Sequence, residues 1–294
     1  MTISEDRIAR DLSRQIEFML LRAGLFFRIF YRSKSEDSLT KKILTKEYSL
    51  SGNKLQDSIG IRVALYFADD LDIVRGLLKR KLVFVDETID KPDDDEFRPS
   101  RVNLIFRIPD EYQKQLGFLR KYVEVDSTYE LQLRTVLSEG WHEVEHDLRY
   151  KCKGEWQHQL DLSRTLNGVF ATLETCDWSM LQVFDELAYR HYKSGDWQAM
   201  LRNKFRIRFD PTPLSEELRT VLTDQNDAAK KIIRLNRERL LRWILDNELS
   251  FPILFSNIVY LVNYLHIKSD SISRLTPAPI AEELERRVAE TGVA

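Results

Sequence analysis

The sequence predicts an α/β (α+β) protein: a mixed β-sheet of about five strands flanked by helices, followed by an all-helical C-terminal region. Three observations carry this. Strand-like alternation recurs between segments of helical periodicity up to about residue 155, the pattern of a mixed sheet with helices packed on it. After Trp156 the alternation nearly vanishes and helical spacing dominates. In three of the strands the polar side chains share one face, where a buried sheet face would be apolar.

The elements follow in order. Ile8, Leu12, Ile16, Met19 and Leu20 recur at helical spacing over residues 2–23, with Ser4 as a cap and Gly24 as the stop. From Leu25 to Arg32, Leu25, Phe27, Ile29 and Tyr31 alternate with Arg28, Phe30 and Arg32, which marks a strand. A short helix opens at Ser35. Ile59, Ile61, Val63, Leu65 and Phe67 are in phase along a second strand. Residues 68–81 read as a helix, 82–85 as a strand and 90–96 as a polar loop. Val102, Leu104, Phe106 and Ile108 mark a further strand; Tyr129, Leu131 and Leu133, opposed by Glu130, Gln132 and Arg134, mark the last. A long helix runs from about Val136 to Cys152, with Leu137, Trp141, Val144 and Leu148 as its packing stripe.

The boundary falls near residue 155, giving a domain at 1–155 and a helical region at 156–294. Pro211, Pro213 and the TPAP stretch at 276–279 break the second part into shorter helices. The longest apolar run, Phe251–Leu265, is too short to cross a bilayer and contains Asn257 and Asn263, so it reads as a core helix. No membrane association is expected.

Composition is ordinary for a globular chain: 294 residues, 43% hydrophobic, 31% charged, net charge -2. That balance excludes a polyelectrolyte and makes no nucleic-acid partner obligatory. Two cysteines, Cys152 and Cys176, form no CxxC pair, which argues against a disulfide framework and for a cytoplasmic location. The charged N-terminus is not read as a secretory leader.

Five groups of residues carry candidate chemistry. Arg32 and Lys34 share parity at a strand end, Ser35 opens a helix whose N-terminus favours anions, and Lys42 lies two turns on; together they can cradle a triphosphate. The alternative is a solvated strand end with a capping serine. Asp57 heads a central strand, where its hard oxygens suit magnesium; Gly60 mid-strand suggests close approach, and Arg62 stands on the polar parity. An Asp57–Arg62 structural ion pair competes with this reading. Glu130, Gln132 and Arg134 share a face; Glu130 can hold a metal or take a proton from an attacking hydroxyl, or the strand simply has one wet face. His142-Glu143-Val144-Glu145-His146 matches the HExxH zinc pattern on a helix, but no third ligand follows at a defined spacing. Finally, Lys230, Lys231, Arg234, Arg237, Arg239 and Arg242 form a basic stretch that can face nucleic acid or, more ordinarily, solvent.

Taken together, residues 20–155 resemble the RelA/SpoT alarmone synthetase domain, in a small single-synthetase or toxin-like form. The pattern R-x-K-S-x-x-S with a later lysine falls on Arg32, Lys34, Ser35, Ser38 and Lys42. The pattern D-x-x-G-x-R falls on Asp57, Gly60 and Arg62, and E-x-Q-x-R-T on Glu130, Gln132, Arg134 and Thr135. The helix ending E-H-x-x-x-Y-K falls on Glu145, His146, Tyr150 and Lys151. The resemblance implies a nucleotidyltransferase-like fold that moves pyrophosphate from ATP to the 3′-hydroxyl of GDP or GTP, making (p)ppGpp in the stringent response. It implies magnesium on Asp57 and Glu130, with Arg62 completing the catalytic set. ATP phosphates would lie on Arg32, Lys34, Ser35 and Lys42, and the acceptor on Phe97, Gln132, Arg134, His146 and Lys151. One motif departs: where the family has G-Y-R-S-x-H, this chain has Phe97-Arg98-Pro99-Ser100-Arg101-Val102-Asn103. Phe97 keeps a ring for stacking and lacks the hydroxyl, and no histidine follows in register. That leaves two alternatives: a toxin-type enzyme acting on the tRNA 3′ end, or an inactive nucleotide-binding module. The helical C-terminal region is expected to regulate or position the synthetase domain, for example by covering the site or making a homo-oligomer, the alternative being that it completes the core.

Overall fold

A computed structural model describes residues 3–45, 54–90 and 101–291. The chain forms two compact units: residues 1–18 with 27–178, and residues 19–26 with 179–294. Phe97 lies outside the described residues.

The first unit is built on five strands: β1 (Phe27–Ser33), β2 (Ile59–Leu65), β3 (Phe84–Asp90), β4 (Arg101–Arg107) and β5 (Thr128–Thr135). Their order is β1-β2-β5-β4-β3. Only β2 and β5 run parallel; the other neighbours are antiparallel. The third strand is longer than the sequence suggests and includes part of the expected polar loop. Pairing with β4 holds it extended, with a register shift between Phe84 and Asp86. Val83 and Val85 stay exposed at this edge, and so lack the buried alternation that would mark the strand.

The register separates two faces. Ile59, Ile61, Val63 and Leu65 pair alongside Leu131, Leu133, Leu104 and Phe106 on one of them, all nearly inaccessible. Phe106 lies 5.7 Å from Tyr129 between ring centres. Helix α1 (Ile3–Arg22) sends Arg10 to the Tyr31 hydroxyl at 3.1 Å on this face. The other face carries Arg32, Gly60 and Glu130 across three strands, then Phe30, Arg62 and Gln132. Helix α2 (Glu36–Thr45) follows β1. Helix α3 (Asp70–Lys81) buries Ile73, Val74, Leu77 and Leu78, and its Arg75 and Lys79 clamp Glu87 of β3 at 2.8 and 2.9 Å.

The helix after β5 is shorter than its sequence pattern. Helix α4 (Val136–Glu145) passes into a π-helical turn at His146–Tyr150. The expected packing stripe is corrected. Trp141 is buried, but Val144 and Leu148 are 50% and 62% exposed, and the buried set is Glu139, Trp141, His142 and Glu145. The reason is that two faces of α4 are engaged. One meets the polar sheet face through carboxylates. The other meets helix α5 (Leu160–Ser194), where Trp141 donates to the Leu166 carbonyl at 3.0 Å and its ring lies tilted against Phe170, 4.8 Å between centres.

In the second unit, Gly24 takes φ +68°, a left-handed conformation that ends the α1 turn. Arg208 donates its amide to the Gly24 carbonyl at 2.7 Å. Helices α6 (Trp197–Phe205), α7 (Glu216–Asp224), α8 (Asn226–Arg234), α9 (Arg237–Asn247) and α10 (Phe255–Val262) follow. The apolar run at 251–265 is a core helix only from Phe255, since Pro252 leaves the residues before it outside the helix; Phe255, Ile258, Val259, Leu261 and Val262 are buried. No described helix is long and apolar enough to cross a membrane.

Candidate functional site

The polar sheet face holds a cavity of about 350 Å³, within the ordinary range for a small-molecule site. It is lined by Phe30, Tyr31, Arg32, Gly60, Ile61, Arg62, Glu130, Gln132, Glu139 and Glu143. Strand register puts these side chains together: Arg32 faces Gly60, which faces Glu130, and Arg62 faces Gln132. A side chain built on Gly60 would meet Arg32 at 3.6 Å. That is an ordinary van der Waals contact, and it shows the Arg32 side chain lying across this point of the strand.

A connected hydrogen-bond network fixes the back of the cavity. Arg62 donates to Gln132 Oε1 at 3.1 Å, to Glu139 Oε1 at 2.5 Å, and to Glu143. Arg134, 5% exposed, donates to Gln132 at 3.0 Å and to Glu139 Oε2 at 3.1 Å. Gln132 in turn donates to Glu130 at 3.1 Å. So each oxygen of Glu139 holds one guanidinium, and Gln132 passes their orientation to Glu130. Burial lowers the pKa of Arg62, but Glu139 and Glu143 outweigh it and raise it overall. The structure thus gives Arg62 carboxylate partners on α4, where an Asp57 pair was the sequence alternative.

Asp57 belongs to a second cluster. Lys34 and Lys42 both reach its Oδ2, at 2.5 and 2.6 Å, and Lys34 also donates to its backbone carbonyl at 2.7 Å. Burial pushes Asp57 up, and the two lysines pull it down by more, so its pKa is lowered. Lys34 is also lowered, because its burial outweighs its pairing with Asp57. With both lysines on one of its oxygens, the cluster is organised around the Asp57 carboxylate. Asp57 Oδ1 is buried and has no hydrogen-bond partner among the described residues. Ser35 caps α2, its hydroxyl accepting from the Ser38 amide at 3.4 Å and lying 2.8 Å from the Ser38 hydroxyl.

Four predicted residues, Arg32, Arg62, Glu130 and Gln132, thus line one cavity, with Arg134 directly behind it. Lys34, Lys42 and Asp57 form the adjoining cluster past the end of β1, where the Lys34 amide still donates to the Ser58 carbonyl at 2.9 Å. His146 and Lys151 meet on Asp147, at 2.9 and 2.6 Å, and are not among the lining residues. Sequence reasoning missed Glu139, Glu143 and Phe30. Glu139 and Glu143 stand at i, i+4 on α4, a spacing that places both on one face; the HExxH pattern covers Glu143 but not Glu139. In the structure Glu143 serves Arg62 and His142 is buried against Trp141. Among the described residues no three His, Cys, Asp or Glu side chains gather as metal ligands. The basic stretch is also altered: Arg237 is buried and donates to the Phe205 carbonyl at 2.7 Å, while Arg242 pairs with Glu238 and Lys231 with Asp227.

Residues 31–155 match the family described as "Region found in RelA / SpoT proteins". The GTP pyrophosphokinase YwaC of Bacillus subtilis (strain 168) is 24% identical over 137 residues, which are 44% of this chain and 60% of that protein. The match therefore spans less than two thirds of that relative. Among solved structures, a GTP pyrophosphokinase family protein from Streptococcus pneumoniae aligns with a TM-score of 0.51 at 17% identity, covering 63% of this chain and 95% of that one. The small alarmone synthetase 1 from Bacillus subtilis, bound to its product pppGpp, aligns with a TM-score of 0.50 at 20% identity, again over 63% and 95%. At these identities the likeness is one of fold.

Proposed function

We propose, from the match of residues 31–155 to the region found in RelA / SpoT proteins, that the chain is a pyrophosphokinase moving pyrophosphate from ATP to the 3′-hydroxyl of GDP or GTP. The observation that carries this is one sheet face joining Arg32, Arg62 and Glu130 in a cavity beside the Lys34–Lys42–Asp57 cluster. Pyrophosphoryl transfer calls mainly for positioning and charge neutralisation, with one base near the attacking hydroxyl. The residues supply both. Arg32, Lys34 and Lys42 offer cationic donors to the ATP phosphates, with the α2 N-terminus at Ser35 beside them. Arg62 offers a guanidinium where charge develops. Glu130, oriented by Gln132, is the group to accept the hydroxyl proton.

The residues fit a magnesium ion. Asp57 Oδ1 is a buried hard oxygen, unpaired among the described residues, and Glu130 is a second carboxylate. Magnesium typically takes one or two protein carboxylates, keeping water and substrate phosphates for the rest. Asp57 and Glu130 would hold it, and when bound it would neutralise phosphate charge. Arg134 is a positioning residue, since it reaches the cavity through Gln132, and Glu139, itself in the lining, positions Arg62. Residues 156–178 complete the first unit; we assign the helices beyond them to regulation or positioning of this site, in a chain that works in the cytoplasm.

Burial of Arg237 removes a central cation from the basic stretch, so that stretch does not favour the tRNA 3′ end over GDP or GTP. Incubating the chain with γ-labelled ATP, magnesium and each acceptor in turn separates the readings. Labelled GDP or GTP product supports the proposal, labelled tRNA replaces its acceptor, and binding of ATP without any transfer makes the chain an inactive module.

A further inference from the structure

Arg62 carries two carboxylates on one nitrogen, Glu139 and Glu143, and the two are not equivalent. The Glu139 side chain is 11% exposed and its second oxygen holds Arg134 at 3.1 Å. It cannot leave without uncoupling both guanidinium groups. Glu143 is 57% exposed and has no other ion-pair partner among the described residues. One turn along α4 from Glu139, it can swing into water while the rest of the network stands. The cavity lining holds two guanidinium groups, Arg32 and Arg62, against three carboxylates, Glu130, Glu139 and Glu143, a net charge of -1 when all are ionised. A polyphosphate entering such a wall meets repulsion, and the most exposed of the three carboxylates, Glu143, already occupies the donor it needs.

We infer that Glu143 is a displaceable internal stand-in for substrate phosphate at Arg62, and that it sets how tightly the cavity takes a polyphosphate. The inference rests on the pyrophosphokinase reading. A half-exposed ion pair is weak and screened by salt, whereas a guanidinium–phosphate pair is among the stronger charge-assisted contacts. Exchange of Glu143 for phosphate is therefore favourable, yet the pair still competes. With Glu143 in place Arg62 is held in one orientation and the cavity discriminates against weak anions. Once phosphate arrives, Glu139 alone keeps the guanidinium aimed.

The test uses the full chain and inorganic tripolyphosphate, with affinity measured by titration calorimetry at fixed salt. Glu143→Gln should bind at least about threefold tighter than the unmodified chain, the scale of one half-exposed ion pair. In an Arg62→Ala background the same change should bring no comparable gain. Unchanged or weaker binding by Glu143→Gln overturns the inference and leaves Glu143 as a support for Arg62. An equal gain without Arg62 also overturns it, since that is a general field effect. If neither the unmodified chain nor Glu143→Gln binds tripolyphosphate, the pyrophosphokinase reading itself fails. Thermal melts of each variant show that the comparison is between folded proteins.

Discussion

Asp57 gives Oδ2 to two lysines while its other oxygen, buried, has no hydrogen-bond partner among the described residues. That division carries two predictions. First, Asp57→Ala should lower pyrophosphate transfer by about 10²-fold or more, the scale of losing a key electrostatic group. Glu130→Ala should do the same by removing the proton acceptor. Steady-state rates near those of the unmodified chain would remove either residue from the site. Second, the folded-state pKa of Asp57 lies below its ordinary value. The stability it contributes is therefore present above about pH 4, its unfolded value, and is lost as pH falls through the lower folded value. The midpoint of urea unfolding for Asp57→Asn should fall less steeply with acid below about pH 4 than that of the unmodified chain. At this scale the sequence is informative wherever alternation fixes a side chain's face. Arg32, Arg62, Glu130 and Gln132 are placed by strand parity alone. Glu139 and Glu143 are not, because a helix shows which residues share a face but not which face meets the sheet. Arg237 reads as a surface cation and is buried, since its backbone carbonyl acceptors come from a distant turn.

At the scale of elements, the junction between β5 and α4 is held by one side chain. Thr135 ends the strand and caps the helix, accepting from the Ser138 amide at 3.1 Å, and donates to buried Asp177 of α5 at 2.7 Å. Thr135→Val should cost about 1–3 kcal/mol, combining a lost cap with a buried carboxylate left unpaired. Denaturant unfolding measures this directly, and a loss under about 0.5 kcal/mol would contradict the role. Glu87 ties β3 to α3. Arg75 and then Lys79 hold its carboxyl down to about 2. Its contribution to stability is thus complete above about pH 4.3 and fades as pH falls toward 2; Glu87→Gln should flatten acid unfolding over that window. The strands around this point are legible where one face is buried. The edge strand β3 is less so, because Val83 and Val85 are exposed and the pairing that extends it is non-local. The early end of α4 has a similar origin. The sequence period continues into His146–Tyr150, but the backbone there adopts a π-helical turn.

For the whole molecule, the family match ends at residue 155 while the first compact unit continues to Trp178. Helix α5 supplies the Leu166 carbonyl to Trp141, Asn167 to Arg149 at 2.8 Å and Asp177 to Thr135. A fragment ending at residue 155 loses all three, together with Phe170 against Trp141. It should be insoluble or molten, which a collapsed amide spectrum by NMR would show; a soluble, folded fragment would contradict the assignment of α5 to this unit. The central claim is that one polar sheet face, with its neighbouring lysine–aspartate cluster, transfers pyrophosphate. The most direct measurement is thin-layer separation of products from γ-labelled ATP, magnesium and GDP or GTP, run with the unmodified chain and with Glu130→Ala. Label in a guanosine 3′-pyrophosphate for the first and about 10²-fold less for the second is the predicted result. Label that stays in ATP for both, or moves equally with both, would contradict it.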